Sequence, residues 1–471
     1  MSKRKVKIRY IAYFAVLIVF GGLLIASVVR RLMTDDAQMA GLVQSETMYV
    51  LVALAAVLPV LIVSFIFVNL RRKTHVTSVI ERGGDDPAES TEKEGMAKKD
   101  KKKGIRAEKA AGNGKRFPTL TEIDNNKEKY ERDDYDESIT LKTLCENLRN
   151  FAANRSLYYD IEDIRRFIAG LTVSHTMILQ GMSGTGKTSL AYVFGKFLDN
   201  PSTVIPVQPM WKERTDLLGY YNEFTKQFNE TPLLCKMYEA GYSRDMFVVV
   251  LDEMNIARVE YYFAEFLSML EIPDMDKRYL GIVSNQWESD PKRLKEGGIC
   301  VPENMWFIGT ANNDDSTFAI SDKVYDRAMI MNLDNKAEPF VAAKEKPVHL
   351  TYKRFNAMAT AARKEYRITR RNERRLAALD GYMIEHFHIT FGNRIMKQIR
   401  DYIPVYVACG GDELSALDDI LSKKVLRKVE TQNPIYIKNA ANGFCQYLDE
   451  LFGEDGMPLC KAMMRRFEKN A

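Results

Sequence analysis

Residues 176–189, ThrMetIleLeuGlnGlyMetSerGlyThrGlyLysThrSer, join an apolar strand directly to a glycine-rich loop. The loop matches the pattern GxxxxGK[ST] in full, and a helical run, residues 189–198, follows it. Glycines lack a Cβ, so backbone N–H groups can close around phosphate oxygens at the start of that helix. The stretch therefore predicts an α/β fold built around a phosphate-binding loop.

The predicted nucleotide-binding residues are those of the loop itself: Gly181, Met182, Ser183, Gly184, Thr185, Gly186, Lys187, Thr188 and Ser189. We expect Lys187 to reach the β and γ phosphates and Thr188 to offer its hydroxyl to Mg²⁺. The motif leaves the choice between ATP and GTP open, because base recognition depends on pocket walls that no motif marks.

A second apolar strand, residues 246–251, ends in Asp252 and Glu253. Ligands of open α/β sheets lie at the carboxyl ends of the strands, so both carboxylates are expected to face the nucleotide. Asp252 is predicted to hold Mg²⁺, directly or through water, and Glu253 to act as the general base. An acidic pair after a strand is common by itself, but its combination with the phosphate loop favours catalysis.

A third strand, residues 305–309, leads into a polar turn that contains Asn312 and Asp315. Short polar side chains there can orient the attacking water and sense the γ phosphate, although Asn and Asp also form simple turns. Farther on, Arg327 is either an ordinary surface charge or an arginine finger for a neighbouring subunit's nucleotide. A finger requires an oligomer.

The composition, 471 residues with 46% hydrophobic content, is sufficient for two or three folded units. Six scattered cysteines contain no CxxC pair and indicate neither a metal site nor a disulfide framework. The net charge is +5, but residues 98–116 alone hold nine basic and two acidic residues. The remainder is slightly acidic, which argues against a broad nucleic-acid-binding surface.

Two uncharged stretches, residues 10–29 and 47–70, are each long enough to cross a bilayer core of about 30 Å. Basic residues flank the pair on its outer sides, so the positive-inside rule predicts a transmembrane helical hairpin in residues 1–73, with both termini in the cytoplasm. A signal peptide is the alternative for the first stretch, but that stretch is longer than a usual signal core.

Three further regions follow the predicted hairpin. Residues 74–135 are charged and predict a disordered tether, either a plain spacer or, at 98–103, a contact for anionic lipid. From there to residue 345, strands alternate with helices, which predicts a mostly parallel sheet with helices on both faces. Residues 346–471 have helical periodicity and predict an all-helical lid with a C-terminal extension.

With these motifs, residues 156–464 resemble the AAA+ ATPases and, within them, the MoxR and McrB-like group. Residues 211–222 look like the segment in which that group carries an insert, and residues 279–301 fall where its extra β-hairpin lies. The resemblance implies a P-loop AAA+ core with a helical lid, ATP and Mg²⁺ as ligands, and a homo-oligomeric, hexameric ring.

The resemblance also implies residue roles. It assigns sensor 1 to Asn312, with Asp315 completing an Asn-x-x-Asp pattern, and it places Arg327 at the arginine-finger position. McrB has consecutive arginines there, whereas Arg327 stands alone between Asp326 and Ala328. Arg394 occupies the sensor 2 position, from which a lid arginine contacts the γ phosphate. A solvated surface charge is the alternative for Arg394.

The sequence thus predicts a membrane-anchored AAA+ ATPase that hydrolyses ATP in a ring and remodels a protein partner at the cytoplasmic membrane face. The alternative is a McrB-like motor of a restriction or defence system, using ATP or GTP with a separate nuclease subunit. Whether nucleic acid is engaged stays open. A nucleotide-gated scaffold with little turnover is a third class, against which Glu253 argues.

Overall fold

The structure is a computed structural model, and it describes residues 115–312, 317–334 and 337–470. In chain order its strands are β1 (Thr176–Gly181), β2 (Thr203–Pro206), β3 (Gly219–Asn222), β4 (Gln227–Glu230), β5 (Phe247–Asp252), β6 (Tyr279–Gly281), β7 (Gly298–Cys300), β8 (Met305–Asn312) and β9 (Met329–Asn332). Five of them form a parallel sheet in the order β2–β5–β8–β1–β9. The predicted α/β core with a mostly parallel sheet is therefore confirmed.

Helices cover both faces of this sheet. Those before and within the sheet region are α1 (Pro118–Asn125), α2 (Leu141–Ala153), α3 (Ile161–Val173), α4 (Lys187–Phe197), α5 (Thr215–Leu218), α6 (Pro232–Ala240), α7 (Val259–Tyr262), α8 (Ala264–Leu270) and α9 (Asp322–Tyr325). Helices α2, α3 and α4 pack on one face, and α1, α6, α7 and α8 pack on the other.

The side chains of β1 show why two faces need covering. Met177 and Leu179 belong to the core on the face of α2–α4, whereas Ile178 belongs to the core on the opposite face. All six residues of β1 are buried. Successive strand residues point to opposite sides, so a strand that is apolar throughout must be covered on both.

The C-terminal region is helical, as predicted. Its helices are α10 (Tyr352–Glu365), α11 (Arg370–Phe387), α12 (Gly392–Ala408), α13 (Glu413–Lys424), α14 (Pro434–Phe452) and α15 (Pro458–Asn470), which we call the lid. Buried residues of the lid, such as Phe355 and Ile399, join those of α2–α4 in one continuous hydrophobic core. This shared core attaches the lid directly to the face of the sheet that α2–α4 cover.

Two antiparallel hairpins extend from the sheet. Strands β3 and β4 form one, which begins within the predicted insert 211–222, and β6 and β7 form the other, within the predicted hairpin segment 279–301. Both place residues outside the five-stranded sheet, where they are available for other contacts.

The end of the predicted tether is folded, which corrects its boundary at residue 135. Helix α1 begins at Pro118, and the backbone N–H groups of Thr119 and Leu120 each donate to the Glu230 carboxylate at 2.8 Å. Phe117 is fully buried beside Phe228 of the first hairpin. Apolar anchors hidden among charged residues hold this segment on the core. Residues 74–114 lie outside the described residues.

The predicted membrane localisation is contradicted. Across residues 115–312, 317–334 and 337–470, no helix is both long and apolar enough to cross a bilayer. The longest helices there, α11 and α14, have 18 and 19 residues and carry charged side chains, because each buries only one face within the lid. The two stretches predicted as spans, residues 10–29 and 47–70, lie outside the described residues.

Candidate nucleotide hydrolysis site

The phosphate loop connects the end of β1 to the start of α4. Gly184 and Gly186 have φ values of 81° and 90°, which a residue with a side chain rarely adopts. Gly186 is the N-cap of α4, so the helix begins at Lys187, two residues before the predicted start. The eleven-residue helix directs its first N–H groups and the positive end of its dipole at the loop, as anion binding requires.

Lys187 lies across this loop. Its side chain is buried, and its Nζ donates to the carbonyl oxygens of Gly181 and Met182 at 3.0 and 2.7 Å. Thr185 Oγ1 donates to the same Met182 oxygen at 3.0 Å, whereas Met182, Ser183 and Gly184 are exposed at the rim. The ammonium group therefore lies inside the loop, where phosphate oxygens are expected.

Tyr159, between α2 and α3, forms a hydrogen bond that supports the phosphate loop. Its hydroxyl donates to the Gly186 carbonyl oxygen at 2.9 Å, and the ring is almost completely buried. Burial raises the pKa of the Tyr159 phenol above its ordinary value, so the hydroxyl keeps its proton and remains a donor. Nothing in the sequence around Tyr159 marks it as a partner of a loop 27 residues away.

Asp252 and Thr188 meet at the carboxyl edge of the sheet. Thr188 Oγ1 donates to Asp252 Oδ1 at 2.7 Å, and Thr310 Oγ1 of β8 donates to the same oxygen at 2.8 Å. Hydroxyl and carboxylate oxygens are the hard ligands that Mg²⁺ prefers, so the donor set fits a divalent cation. Thr310 was not predicted, because the predicted strand ended at residue 309, whereas β8 continues to Asn312.

Glu253, the residue after Asp252, has an unusual backbone conformation. Its φ is +52°, in the left-handed region, and its N–H donates to Thr310 Oγ1 at 2.9 Å. Such a conformation costs roughly 1–3 kcal/mol in a residue that is not glycine and persists when the surroundings impose it. The turn leaves the Glu253 side chain exposed at the end of β5, while Met254 is buried.

Asn312 ends β8 beside the phosphate loop. It lies opposite Gly181 in the β1–β8 ladder. Its carbonyl oxygen accepts from Asn255 Nδ2 at 2.9 Å and from Thr317 Oγ1 at 3.0 Å. Asn255 is 4% exposed and was not predicted, although it stands two residues after Glu253. It links the acidic pair to the predicted sensor. Asp315 lies outside the described residues.

Arg327 and Arg394 share one carboxylate. Arg327 Nε lies 3.1 Å from Glu271 Oε2, and Arg394 Nη2 lies 3.1 Å from Glu271 Oε1. Arg327 Nη1 also donates to Ser268 Oγ at 3.4 Å. The structure thus groups the two arginines with each other at the end of α8, and it does not bring Arg394 to the phosphate loop. Glu271 was not predicted from the sequence.

Lid residues other than Arg394 lie near the phosphate loop, at the carboxyl ends of β1 and β8. A cavity of about 630 Å³ is lined by Gly181 and Asn312 from the sheet and by Lys423, Arg427 and Arg466 from the lid. Arg427 belongs to a short 3₁₀ segment, residues 426–431, after α13, and Arg466 belongs to α15. Helical periodicity alone could not distinguish these basic residues from Arg394.

A glycine-rich loop at the start of a helix, joined through Thr188 to an acidic residue on a neighbouring parallel strand, defines the P-loop nucleoside triphosphatases. Residues 176–328 match the family described as AAA domain (dynein-related subfamily). The chain therefore contains an AAA domain and is a nucleoside triphosphatase. Domains of this family use a nucleotide and a divalent metal ion.

One similar solved structure is a candidate ATPase from Cytophaga hutchinsonii, with 13% sequence identity, a TM-score of 0.41, and coverage of 64% of this chain and 87% of that chain. No curated protein matches the chain. The predicted AAA+ resemblance is confirmed at the level of the AAA domain, and the narrower MoxR and McrB-like assignment stays a prediction.

Proposed function

We propose that this protein is a ring-forming ATPase that hydrolyses ATP with Mg²⁺ and uses the movement of its lid to remodel a protein partner. The observation that carries the proposal is the 2.7 Å contact between Thr188 Oγ1 and Asp252 Oδ1. It joins the residue that follows the loop lysine to the acidic residue that ends β5. In an ATPase these two oxygens belong beside the β and γ phosphates.

Thr188 and Asp252 are the residues that would hold Mg²⁺, and the bound ion would neutralise charge on the phosphate oxygens. Lys187 and the first N–H groups of α4 bind the phosphates. Glu253 accepts a proton from the attacking water, and its position depends on Thr310, which fixes the adjoining backbone at 2.9 Å. Asn312 orients the water from the neighbouring strand.

The position of Arg327 supports the proposal that the protein assembles into a ring. Arg327 pairs with Glu271 at the end of α8, together with Arg394, and not with the phosphate loop of its own chain. The Arg327 side chain is 30% exposed and is held by one carboxylate and a long hydrogen bond to Ser268. It can be transferred to a neighbour's phosphate at moderate cost, because ion pairs near the surface are worth about 0–1 kcal/mol. We therefore assign Arg327 to the adjacent subunit's nucleotide, with Arg394 beside it.

The choice of a protein partner is supported by exposed apolar side chains around the first hairpin. Phe224 is 98% exposed at the β3–β4 turn, and Tyr220 of β3 is also exposed. Apolar side chains grouped on one projecting element are typical of protein contacts. The slightly acidic charge outside residues 98–116 makes a nucleic-acid partner the weaker choice.

Phosphate release from the full-length protein, measured across a dilution series with ATP and Mg²⁺, tests the proposal. Lys187→Ala should abolish turnover, whereas Lys196→Ala, an exposed lysine on the same helix, should not. Glu253→Gln should reduce kcat by about 10²–10⁴-fold while nucleotide binding persists. Glu265→Gln on α8 is its control.

Assembly supplies the decisive measurement. Specific activity should rise with protein concentration in parallel with ring formation seen by light scattering, and Arg327→Ala should remove the rise. Specific activity that stays constant down to the monomer would contradict a site shared between subunits. Stimulation by DNA that disappears with added salt would instead favour the nuclease-coupled motor.

A further inference from the structure

A buried lysine of the lid forms hydrogen bonds to residues 322–328, the segment that carries Arg327. Lys424, the last residue of α13, is 3% exposed. Its Nζ donates to the carbonyl oxygen of Tyr325 at 2.7 Å and to that of Ala328. One ammonium group therefore connects the residues on both sides of the Asp326–Arg327 pair.

The remaining carbonyl groups of this stretch are also occupied. Gln398 Nε2 of α12 donates to the Asp326 carbonyl oxygen at 3.1 Å, and Lys428 Nζ lies 3.5 Å from the Asp326 carboxylate. Ser174 Oγ, at the end of α3, donates to the Arg327 carbonyl oxygen at 2.9 Å. The carbonyl groups of four consecutive residues thus accept from side chains, and three of those four bonds come from the lid.

The lid also holds the side chains of the segment. Arg427 stacks over the ring of Tyr325 at 3.9 Å and forms an ion pair with Asp322. The Tyr325 hydroxyl is hydrogen-bonded to Gln180, the residue immediately before Gly181 of the phosphate loop. The segment is therefore in contact with the lid on one side and with the nucleotide-binding strand on the other.

Lys424 is unlike the ordinary lysines of the lid. Burial lowers the pKa of its amine to about 7, against the opposing charge of Asp326. A neutral amine still carries two N–H groups, so both bonds to carbonyl oxygens persist in either protonation state. A buried amine that donates its hydrogen bonds to the backbone of another element connects the two elements structurally.

We propose that the lid positions Arg327, with Lys424 as the positioning residue, so that lid displacement in one subunit moves the arginine offered to the next subunit. The inference rests on the proposed function, in which Arg327 completes a neighbouring site. It adds that residues 322–328 move with the lid of their own chain, because most of the bonds that hold this segment come from the lid.

Mixed rings of full-length subunits test this proposal. A donor subunit carries Glu253→Gln, which disables its own site but keeps Arg327. An acceptor subunit carries Arg327→Ala and keeps its own catalytic residues. Neither should hydrolyse ATP alone, and mixing them should restore phosphate release at the acceptor sites that adjoin a donor.

Lys424→Met is then added to one partner at a time. In the donor it should reduce restored activity by about 100-fold, the scale expected for a group misplaced by roughly 1 Å. In the acceptor, which has no Arg327, it should leave restored activity within about twofold. The matched control is Lys461→Met in the donor, because Lys461 donates within the lid to Asp449 at 2.6 Å and to Glu454.

The outcomes distinguish a failure of the shared site from a failure of the lid to position Arg327. If the unmodified donor and acceptor do not restore activity, the shared site itself is wrong. If they do, and the Lys424→Met donor restores activity equally well, or the Lys424→Met acceptor loses as much as the donor, lid positioning of Arg327 is overturned. Should Lys424→Met fail to assemble, Gln398→Leu in the donor removes one bond to the segment and should also lower the restored activity.

Discussion

Thr310 offers the sharpest test of the catalytic geometry, because one buried hydroxyl serves both members of the acidic pair. Its Oγ1 donates to Asp252 Oδ1 at 2.8 Å and accepts from the Glu253 N–H at 2.9 Å, and the residue is 3% exposed. Thr310→Val keeps the shape of the side chain but removes both bonds. We expect the substitution to affect hydrolysis far more than nucleotide binding.

The magnitude follows from those two bonds. A hydrogen bond to a charged group contributes about 1.5–3 kcal/mol, and an orphaned buried N–H costs about 1–3 kcal/mol. Asp252 keeps its bond to Thr188, and Glu253 is exposed enough for water to replace part of the loss. The expected loss of unfolding free energy is therefore about 1–3 kcal/mol.

Catalysis should suffer separately from stability. Glu253 holds a φ of +52° only because its surroundings impose it, so losing the Thr310 bond should let the carboxylate move from its position. We expect kcat to fall about 10–100-fold, with little change in KM because the phosphate loop is untouched. Steady-state phosphate release and urea unfolding measure the two effects. Thr360→Val, at an exposed position of lid helix α10, is the control. A kcat within twofold of wild type would show that Thr310 does not position Glu253.

Two further substitutions test packing at Gly309 and the ion pairs of His349. Gly309→Ala would place a Cβ 1.9 Å from Met254 Sδ, so we expect about 1–3 kcal/mol lower stability by urea unfolding, and an unchanged midpoint would count against it. His349 lies 2.7 Å from Asp199 and 2.8 Å from Asp134; burial opposes its charge, but the Asp199 bond and both carboxylates outweigh burial and raise the pKa of His349. Its stabilising effect should be complete below about pH 6.5 and disappear as pH rises through the raised pKa. The stability difference between wild type and His349→Gln should therefore shrink as pH rises above about 6.5, and a difference that stays constant with pH would contradict this.

Elements whose structure depends on local pattern were predictable. The strand predicted at residues 246–251 is Phe247–Asp252, and the strand predicted at 305–309 begins at Met305 but runs on to Asn312. Parallel strands place their carboxyl ends at one edge, so the meeting of Asp252 with the phosphate loop followed from the pattern. The α/β core could therefore be derived before any contact was known.

Contacts between distant residues were not predictable in the same way. Tyr159 reaches Gly186, and Thr310 reaches Asp252, through the packing of whole elements against one another. Charged segments obscured folded structure as well, because a few apolar anchors such as Phe117 outweigh many solvated charges. Average composition over residues 74–135 could not detect this.

The residues on either side of Arg327 show why this segment holds a single arginine. Consecutive arginines would require a basic side chain at a neighbouring position. Ala328 is fully buried, with its carbonyl oxygen bonded to Lys424, so an arginine there would bury a second positive charge close to the Lys424 ammonium. Asp326 faces Lys428 at 3.5 Å, where an arginine would meet a like charge. The neighbours of Arg327 are therefore committed to the lid, which explains why only one arginine is available in this segment.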